Sequence, residues 1–177
     1  MMRRLISPPQ RQLIVNAILA LPSRRLRNAF VHRILGWPGD VQIGRGVRLQ
    51  SLRKPQLGAR VVIHRHTRLD LRGGITIGDD VAISPHCSII TADHDPDSPT
   101  REYRERGVSI GDRAWIATDV TLLPGTQVAE GCVVAGGAVA TGRLDPWGIY
   151  GGNPARRLRD RDPQAQARLA GTMQRFE

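Results

Sequence analysis

The stretch ITIGDDVAISPHCSII at residues 75–90 places Ile77, Ile83 and Ile89 six positions apart, and that spacing decides the fold. The beat resumes in IGDRAWIATDVTLLPGTQVAEGCVVAGGAV at residues 110–139, on Ile110, Ile116, Leu122, Val128 and Val134. Glycine or alanine often follows the aliphatic residue, as in Ile77-Gly78 and Val134-Ala135. A small or β-branched residue stands four places on, at Val81, Cys87, Ala114, Val120, Thr126, Cys132 and Ala138. A period of six matches neither an α-helix, at about 3.6, nor a half-buried strand, at about 2, so the repeat specifies a solenoid of short stacked strands.

Three hexamers per coil align rows that begin at Ile43, Ile63, Ile83, Ile116 and Val134. Register slips between Leu49 and Leu57, Leu69 and Ile77, and Ile89 and Ile110, each time between the second and third hexamer of a coil. Insertions therefore leave from one edge of a triangular prism, which lets a loop grow without disturbing the core. The last interruption is the longest, and it carries His94.

Residues 1–40 differ in kind. Leu13, Ile14, Ala17, Ile18 and Leu21 are spaced for one helical face, with Pro22 as a stop and Ser23 as an N-cap for the next segment. Leu26, Phe30, Ile34 and Leu35, among Arg24, Arg25, Arg27 and Arg33, describe a second, basic amphipathic helix. One reading makes the pair a cap on the solenoid's open end, which every solenoid requires. The other is a peripheral membrane contact through the arginine face. Residues 41–159 then form the solenoid, with a loop at 93–107, and residues 160–177 read as a short C-terminal helix.

The net charge is +10, carried almost wholly by arginine, since Lys54 is the only lysine. Such a balance suits nucleic acid, an anionic membrane or phosphorylated ligands. No recognition helix, zinc-finger spacing or aromatic ribonucleoprotein pattern accompanies it, which argues against nucleic acid. Cys87 and Cys132 fall on the small inward position of the hexamer, outside any metal-type spacing, so both are expected as free thiols in a reducing cytoplasm. No run of eighteen apolar residues occurs, and the stretch Leu13–Leu21 lacks a small-residue cleavage site. A cytoplasmic protein is expected, with the inner membrane face as the alternative place.

His94 lies in Thr91-Ala92-Asp93-His94-Asp95-Pro96, at the start of the long break. An imidazole can accept a hydroxyl proton near neutral pH, which suits a general base. Asp93 and Asp95 flank it and offer carboxylates to orient the ring, as a backbone carbonyl equally would. No serine or cysteine is placed as a covalent nucleophile, because Cys87 points inward and Ser84 and Ser88 are ordinary repeat residues.

The hexamers, the segment ITIGDDVAISPHCSIITADHDPDSP (75–99), the segment IGDRAWIATDVTLLPGTQV (110–128) and the closing IYGGNPARRLR (149–159) together resemble the left-handed β-helix hexapeptide-repeat acyltransferases. Within these the chain is most similar to sugar and polysaccharide O-acetyltransferases of the maltose, galactoside and colanic acid types, over roughly residues 41–160. The resemblance implies a left-handed parallel β-helix and direct acetyl transfer from acetyl-CoA to a sugar or glycan hydroxyl, with His94 as the base. It implies a homotrimer, with coenzyme A in the groove between subunits. Trp115 matches the position by the pantetheine arm, Thr118, Gly136 and Thr141 match positions that contact that arm or the adenosine end, and Arg156 and Arg159 match basic positions near the phosphates. The family's lysine after Thr141 is Gly142 here, with Arg143 next door. Counting back one coil from the histidine puts His64 where part of the family uses an asparagine for the acceptor. Asp70 is the nearest polar companion, read either as an acceptor contact or as a turn aspartate.

A xenobiotic O-acetyltransferase is the alternative enzyme, and a noncatalytic β-helix scaffold is the alternative of another class. His64, His66 and His86 raise the zinc-binding gamma carbonic anhydrase type. That family pairs two histidines five apart, whereas His86 and His94 are eight apart, so no metal is expected.

Overall fold

A computed structural model describes residues 7–164. Two helices, α1 (Pro8–Leu19) and α2 (Arg24–Arg33), precede a left-handed parallel β-helix of about five turns. Each strand is two or three residues long through most of the prism, because a hexamer divides into a strand and a corner turn. On the first face Ile43, Ile63, Ile83, Ile116 and Val134 are successive in-register neighbours. Leu49, Leu69, Ile89, Leu122 and Ala140 stack on the second face. Leu57, Ile77, Ile110, Val128 and Leu144 stack on the third. These ladders are the rows expected from the period of six, and all but Leu57 are buried. Full burial of one such aliphatic side chain stabilises the fold by about 1.5–3 kcal/mol.

Between the first and second faces, the third residue after each first-face aliphatic turns the chain with a positive φ: Gly46, His66, His86, Asp119 and Gly137, at 58° to 72°. The coils approach closely beside this corner. A Cβ on Gly44 would lie 2.3 Å from the backbone nitrogen of Arg65, so only glycine fits there. Cys87 and Cys132 are buried free thiols at different corners. Burial pushes them up to about 11 and about 12, which leaves the thiolates unpopulated at neutral pH.

The helices close the open end in a way that apolar spacing did not indicate. The first coil has no strand beyond it, and its peptide groups need partners. Side chains provide them. Asn16 donates to the Leu49 carbonyl at 3.1 Å and accepts from the Leu49 amide at 2.9 Å. Gln12 bridges the Leu49 carbonyl and the Ser51 amide, and Asn28 accepts from the Ile43 amide. Arg27 is fully buried and donates to the carbonyls of Ile43, Leu21 and Pro22. Satisfying the edge sets how the helices face, so most of the stripe expected on α1 and part of that on α2 turn outward, while Phe30 and Leu35 pack against the core as spaced. Val15, Leu19 and Val31 pack inward, while Leu13, Ile14, Leu21, Leu26 and Ile34 are exposed.

At the far end Gly148–Gly151 pairs antiparallel with Arg156–Asp160, and Gly152-Asn153-Pro154 makes the bend expected of it. Residues 156–160 are thus strand. The expected C-terminal helix lies outside the described residues, apart from the turn that ends them. No helix among the described residues is long and apolar enough to cross a membrane.

Candidate active site

The long excursion is a hairpin rather than an irregular loop. Ala92–His94 pairs antiparallel with Tyr103–Glu105, setting Tyr103 opposite His94 and Arg104 opposite Asp93. Its charges explain the pairing, since alternating Arg104, Glu105 and Arg106 return past Asp93 and Asp95. Arg104 grips Asp93 through two nitrogens at 3.0 and 3.2 Å and reaches Asp95 at 3.0 Å. Arg106 adds a second contact to Asp93 at 2.5 Å. The Arg104 and Arg106 guanidiniums hold the Asp93 carboxyl below the usual carboxylate range.

These ion pairs occupy Asp93 and Asp95, so of the two candidates for orienting the histidine, a flanking carboxylate or a backbone carbonyl, the carbonyl does so. The ring is instead held at Nδ1 by the backbone carbonyl of Arg101, at 2.7 Å. A carbonyl only accepts, so Nδ1 carries the proton and Nε2 presents its lone pair to solvent. Tyr103 meets the ring edge-on, with centroids 5.7 Å apart, and Arg72 lies over the Tyr103 ring at 5.7 Å. Arg72 is in turn fixed by two 2.8 Å bonds to Asp70.

Asp70 is fully buried, which resolves its two readings in favour of the structural one and corrects its assignment as an acceptor contact. Besides Arg72 it accepts from the Thr91 amide, and the Thr91 hydroxyl donates to the Asp70 carbonyl at 2.8 Å while receiving the Gly73 amide. Burial alone would raise its carboxyl, but the bonds from Arg72 and Thr91 bring it below the ordinary range. Asp70 therefore anchors the base of the His94 hairpin. The sequence carried a signal for this in Leu69-Asp70-Leu71-Arg72, where opposite charges two apart on an extended segment share a face.

His64 is also displaced from its expected place. Pairing of Ile63 with Ile83 sets His64 beside Ser84 on the first face of the same coil that bears Asp70 on its second face, so within one chain His64 and the His94 hairpin lie at different faces. His66 and His86 stack on each other at the first corner, 5.1 Å between centroids. Among the described residues no three His, Cys, Asp or Glu side chains converge on a point that would hold a metal ion.

The residues matched to the cofactor fall on two edges of the prism. Trp115 projects from the first face, 48% exposed, its indole nitrogen donating to the Ser84 hydroxyl at 3.0 Å. Thr118 and Gly136 follow at the corner between first and second faces, where the Gly137 amide donates to the Thr118 carbonyl. Thr141 sits at the corner between second and third faces, the edge from which the His94 hairpin also leaves, and Arg143 opens the third-face strand just beyond it. Arg156 and Arg159 lie exposed on the closing strand. One chain thus presents an exposed histidine at one edge and an exposed indole beside another. Tyr103, Arg72, Thr91 and Ser84 were not anticipated as parts of the site.

No family model matches the chain. A probable acetyltransferase of Mycobacterium tuberculosis is 32% identical over 120 residues, which is 65% of this chain and 40% of that protein. The chain spans about two fifths of the length of that relative and of a putative acetyltransferase of Schizosaccharomyces pombe. A putative colanic acid biosynthesis acetyltransferase of Escherichia coli is 30% identical over 135 residues, covering 75% of this chain and 74% of that protein. Among solved structures, a hexapeptide-repeat acetyltransferase of Vibrio cholerae complexed with acetyl coenzyme A superposes with a TM-score of 0.76 at 23% identity, over 85% of each chain.

Proposed function

The chain belongs to the hexapeptide-repeat acetyltransferase family, and from that premise we propose that it transfers an acetyl group from acetyl-CoA to a hydroxyl of a sugar or glycan. The observation that carries the mechanism is the hydrogen bond from His94 Nδ1 to the Arg101 carbonyl, which leaves Nε2 as a base on an exposed hairpin. Nε2 takes the acceptor's hydroxyl proton as its oxygen attacks the thioester carbonyl. The carbon–sulfur bond then breaks, and the imidazolium returns the proton to the departing thiolate. Backbone N–H groups supply oxyanion stabilisation of the usual kind, and transfer is direct, since neither thiol is available as a nucleophile. A sugar acceptor is supported by the likeness to the colanic acid biosynthesis acetyltransferase.

The division of the candidate residues between two prism edges supports a homotrimer, in which the His94 edge of one copy faces the Trp115 side of the next. Coexpression tests this: mixed oligomers of His94→Ala and Trp115→Ala chains are expected to contain sites that combine the normal kcat with the normal KM for acetyl-CoA, which neither variant does alone. Absence of such sites would place each site within one chain.

Thiol release from acetyl-CoA, measured against a panel of sugars, oligosaccharides and hydroxylated antibiotics, tests the activity as a whole. Release that no acceptor accelerates overturns it. In the same assay Trp115→Ala is expected to raise the KM for acetyl-CoA roughly tenfold, the equivalent of about 1.4 kcal/mol of lost apolar contact, and to leave the acceptor KM unchanged.

A further inference from the structure

The basic residues are distributed very unevenly. Residues 1–72 hold 15 of the 26 basic side chains and two of the 16 acidic ones, a net +13, while residues 73–177 carry 11 basic and 14 acidic, a net −3. Part of this excess is concentrated on one edge. At the corner between the first and second faces Arg48 is the direct cross-strand neighbour of Arg68. Arg45 and Arg65 occupy the same place on successive coils, two residues past the paired Ile43 and Ile63, and the His66 amide donates to the Arg45 carbonyl. The stacked rings of His66 and His86 stand between these rows. All six side chains are exposed.

Like charges on directly opposed strands, whose spacing is about 4.8 Å, destabilise a sheet. Elsewhere this chain avoids the problem. At the corner between third and first faces Arg60 lies among carboxylates, bonded to Asp80 at 2.7 and 2.8 Å with Asp79 at 3.7 Å. On the His94 hairpin Arg104 and Arg106 share Asp93. Along the Arg45–Arg68 edge no carboxylate of the described residues pairs with any of the four guanidiniums, and the one side-chain partner is neutral, Gln50 on Arg68. A ladder of four arginines kept apart from acids is suited to an anion supplied from outside, because guanidinium forks match phosphate oxygens.

The same edge leads to the candidate cofactor positions. Counting two residues past each first-face aliphatic gives Arg45, Arg65, Pro85, Thr118 and Gly136, so the ladder lies on the prism edge that carries two of the candidate cofactor positions. We infer that Arg45, Arg48, Arg65 and Arg68, with His66 and His86, form a subsite for phosphate groups of the acceptor, which is a phosphate- or diphosphate-bearing sugar. The acceptor part of this inference rests on the acetyl-transfer reading. Anion binding at the ladder does not.

The test uses the full chain and the variant Arg45→Gln/Arg65→Gln, whose arginines hold no side-chain partner among the described residues. Without any coenzyme A, inorganic pyrophosphate at saturating concentration is expected to raise the Tm of the unaltered protein by about 5 °C. The variant loses at least tenfold in pyrophosphate affinity, and in phosphate-free buffer it melts no lower than the unaltered protein, because a repulsion has been removed. A variant that melts several degrees lower, with pyrophosphate binding intact, makes the arginines structural and overturns the subsite.

The second arm compares transfer to UDP-galactose and to galactose. The variant is expected to raise the KM for UDP-galactose at least tenfold while the KM values for galactose and acetyl-CoA hold. A rise confined to acetyl-CoA hands the ladder to the cofactor's own phosphates. Binding seen only with phosphatidylglycerol vesicles makes it a lipid contact, and preference for a 20-nucleotide RNA over pyrophosphate makes it a nucleic-acid surface. Each of these three results overturns the acceptor assignment. If no acceptor is acetylated at all, the acetyl-transfer reading fails while the pyrophosphate arm still decides whether the anion site exists.

Discussion

Replacing His94 with alanine is expected to lower kcat for acetyl transfer by about 10² to 10⁴, the range that a positioned general base contributes. The expectation rests on one contact. With Nδ1 held by the Arg101 carbonyl, Nε2 is the ring atom left to take a proton, and no carboxylate beside it takes over once the ring is gone, because Asp93 and Asp95 are committed to Arg104 and Arg106. The KM for acetyl-CoA should change little, since the side chain is matched to no part of the cofactor. Asp93→Asn makes the instructive comparison. Were Asp93 the orienting group it would cost nearly as much as His94→Ala, whereas the arrangement here calls for a smaller loss, through a loosened hairpin. Steady-state kinetics of thiol release separates the two, and a His94→Ala enzyme within a few-fold of normal kcat would remove the base from His94.

The contrast between what was readable in advance and what was not has a physical basis. The ladders on Ile43, Leu49 and Leu57 follow from a period of six because a solenoid repeats its burial pattern every coil, and every register slip keeps the interior in phase. His94 was conspicuous for the same reason, as a titratable residue at the longest break. Its anchor was not, because a carbonyl at residue 101 has no signature in side-chain chemistry. The helical cap misled for a different reason. Hydropathy assigned Leu13 and Ile14 to the interior, but an unpaired coil edge needs donors and acceptors, and Gln12, Asn16, Arg27 and Asn28 supply them. Counting back from the histidine reached the right coil at His64 but the wrong face, since Asp70, on the second face of that coil, is what lies under the hairpin. The excursion's hairpin was legible in principle, since Arg104 and Arg106 return past Asp93 with opposite charge.

Arg72→Ala is expected to cost about 3–5 kcal/mol of stability, the loss typical when one partner of a buried ion pair is removed. The pair is asymmetric, and the asymmetry sets the sign of a second comparison. The Asp70 side chain is 1% exposed and that of Arg72 is 33% exposed. Losing the arginine leaves a deeply set carboxylate with only the amides of Arg72 and Thr91 as donors, while Asp70→Asn frees a guanidinium that solvent already reaches. Arg72→Ala should therefore destabilise more than Asp70→Asn, and the double variant should be more stable than Arg72→Ala alone. Denaturant midpoints at one fixed protein concentration measure all three, which matters for the proposed homotrimer. The pH dependence carries the same information. The Asp70 carboxyl lies below its ordinary value of 3.8 in the folded protein, so its contribution is present above that pH and is lost as pH falls further, through the folded value. In Asp70→Asn that acid limb should flatten. Because Arg72 also lies over Tyr103, which abuts His94, Arg72→Ala should lower kcat at temperatures where the chain is still folded, and an Arg72→Ala enzyme with unchanged kcat would disconnect the Asp70 anchor from the base it is argued to position.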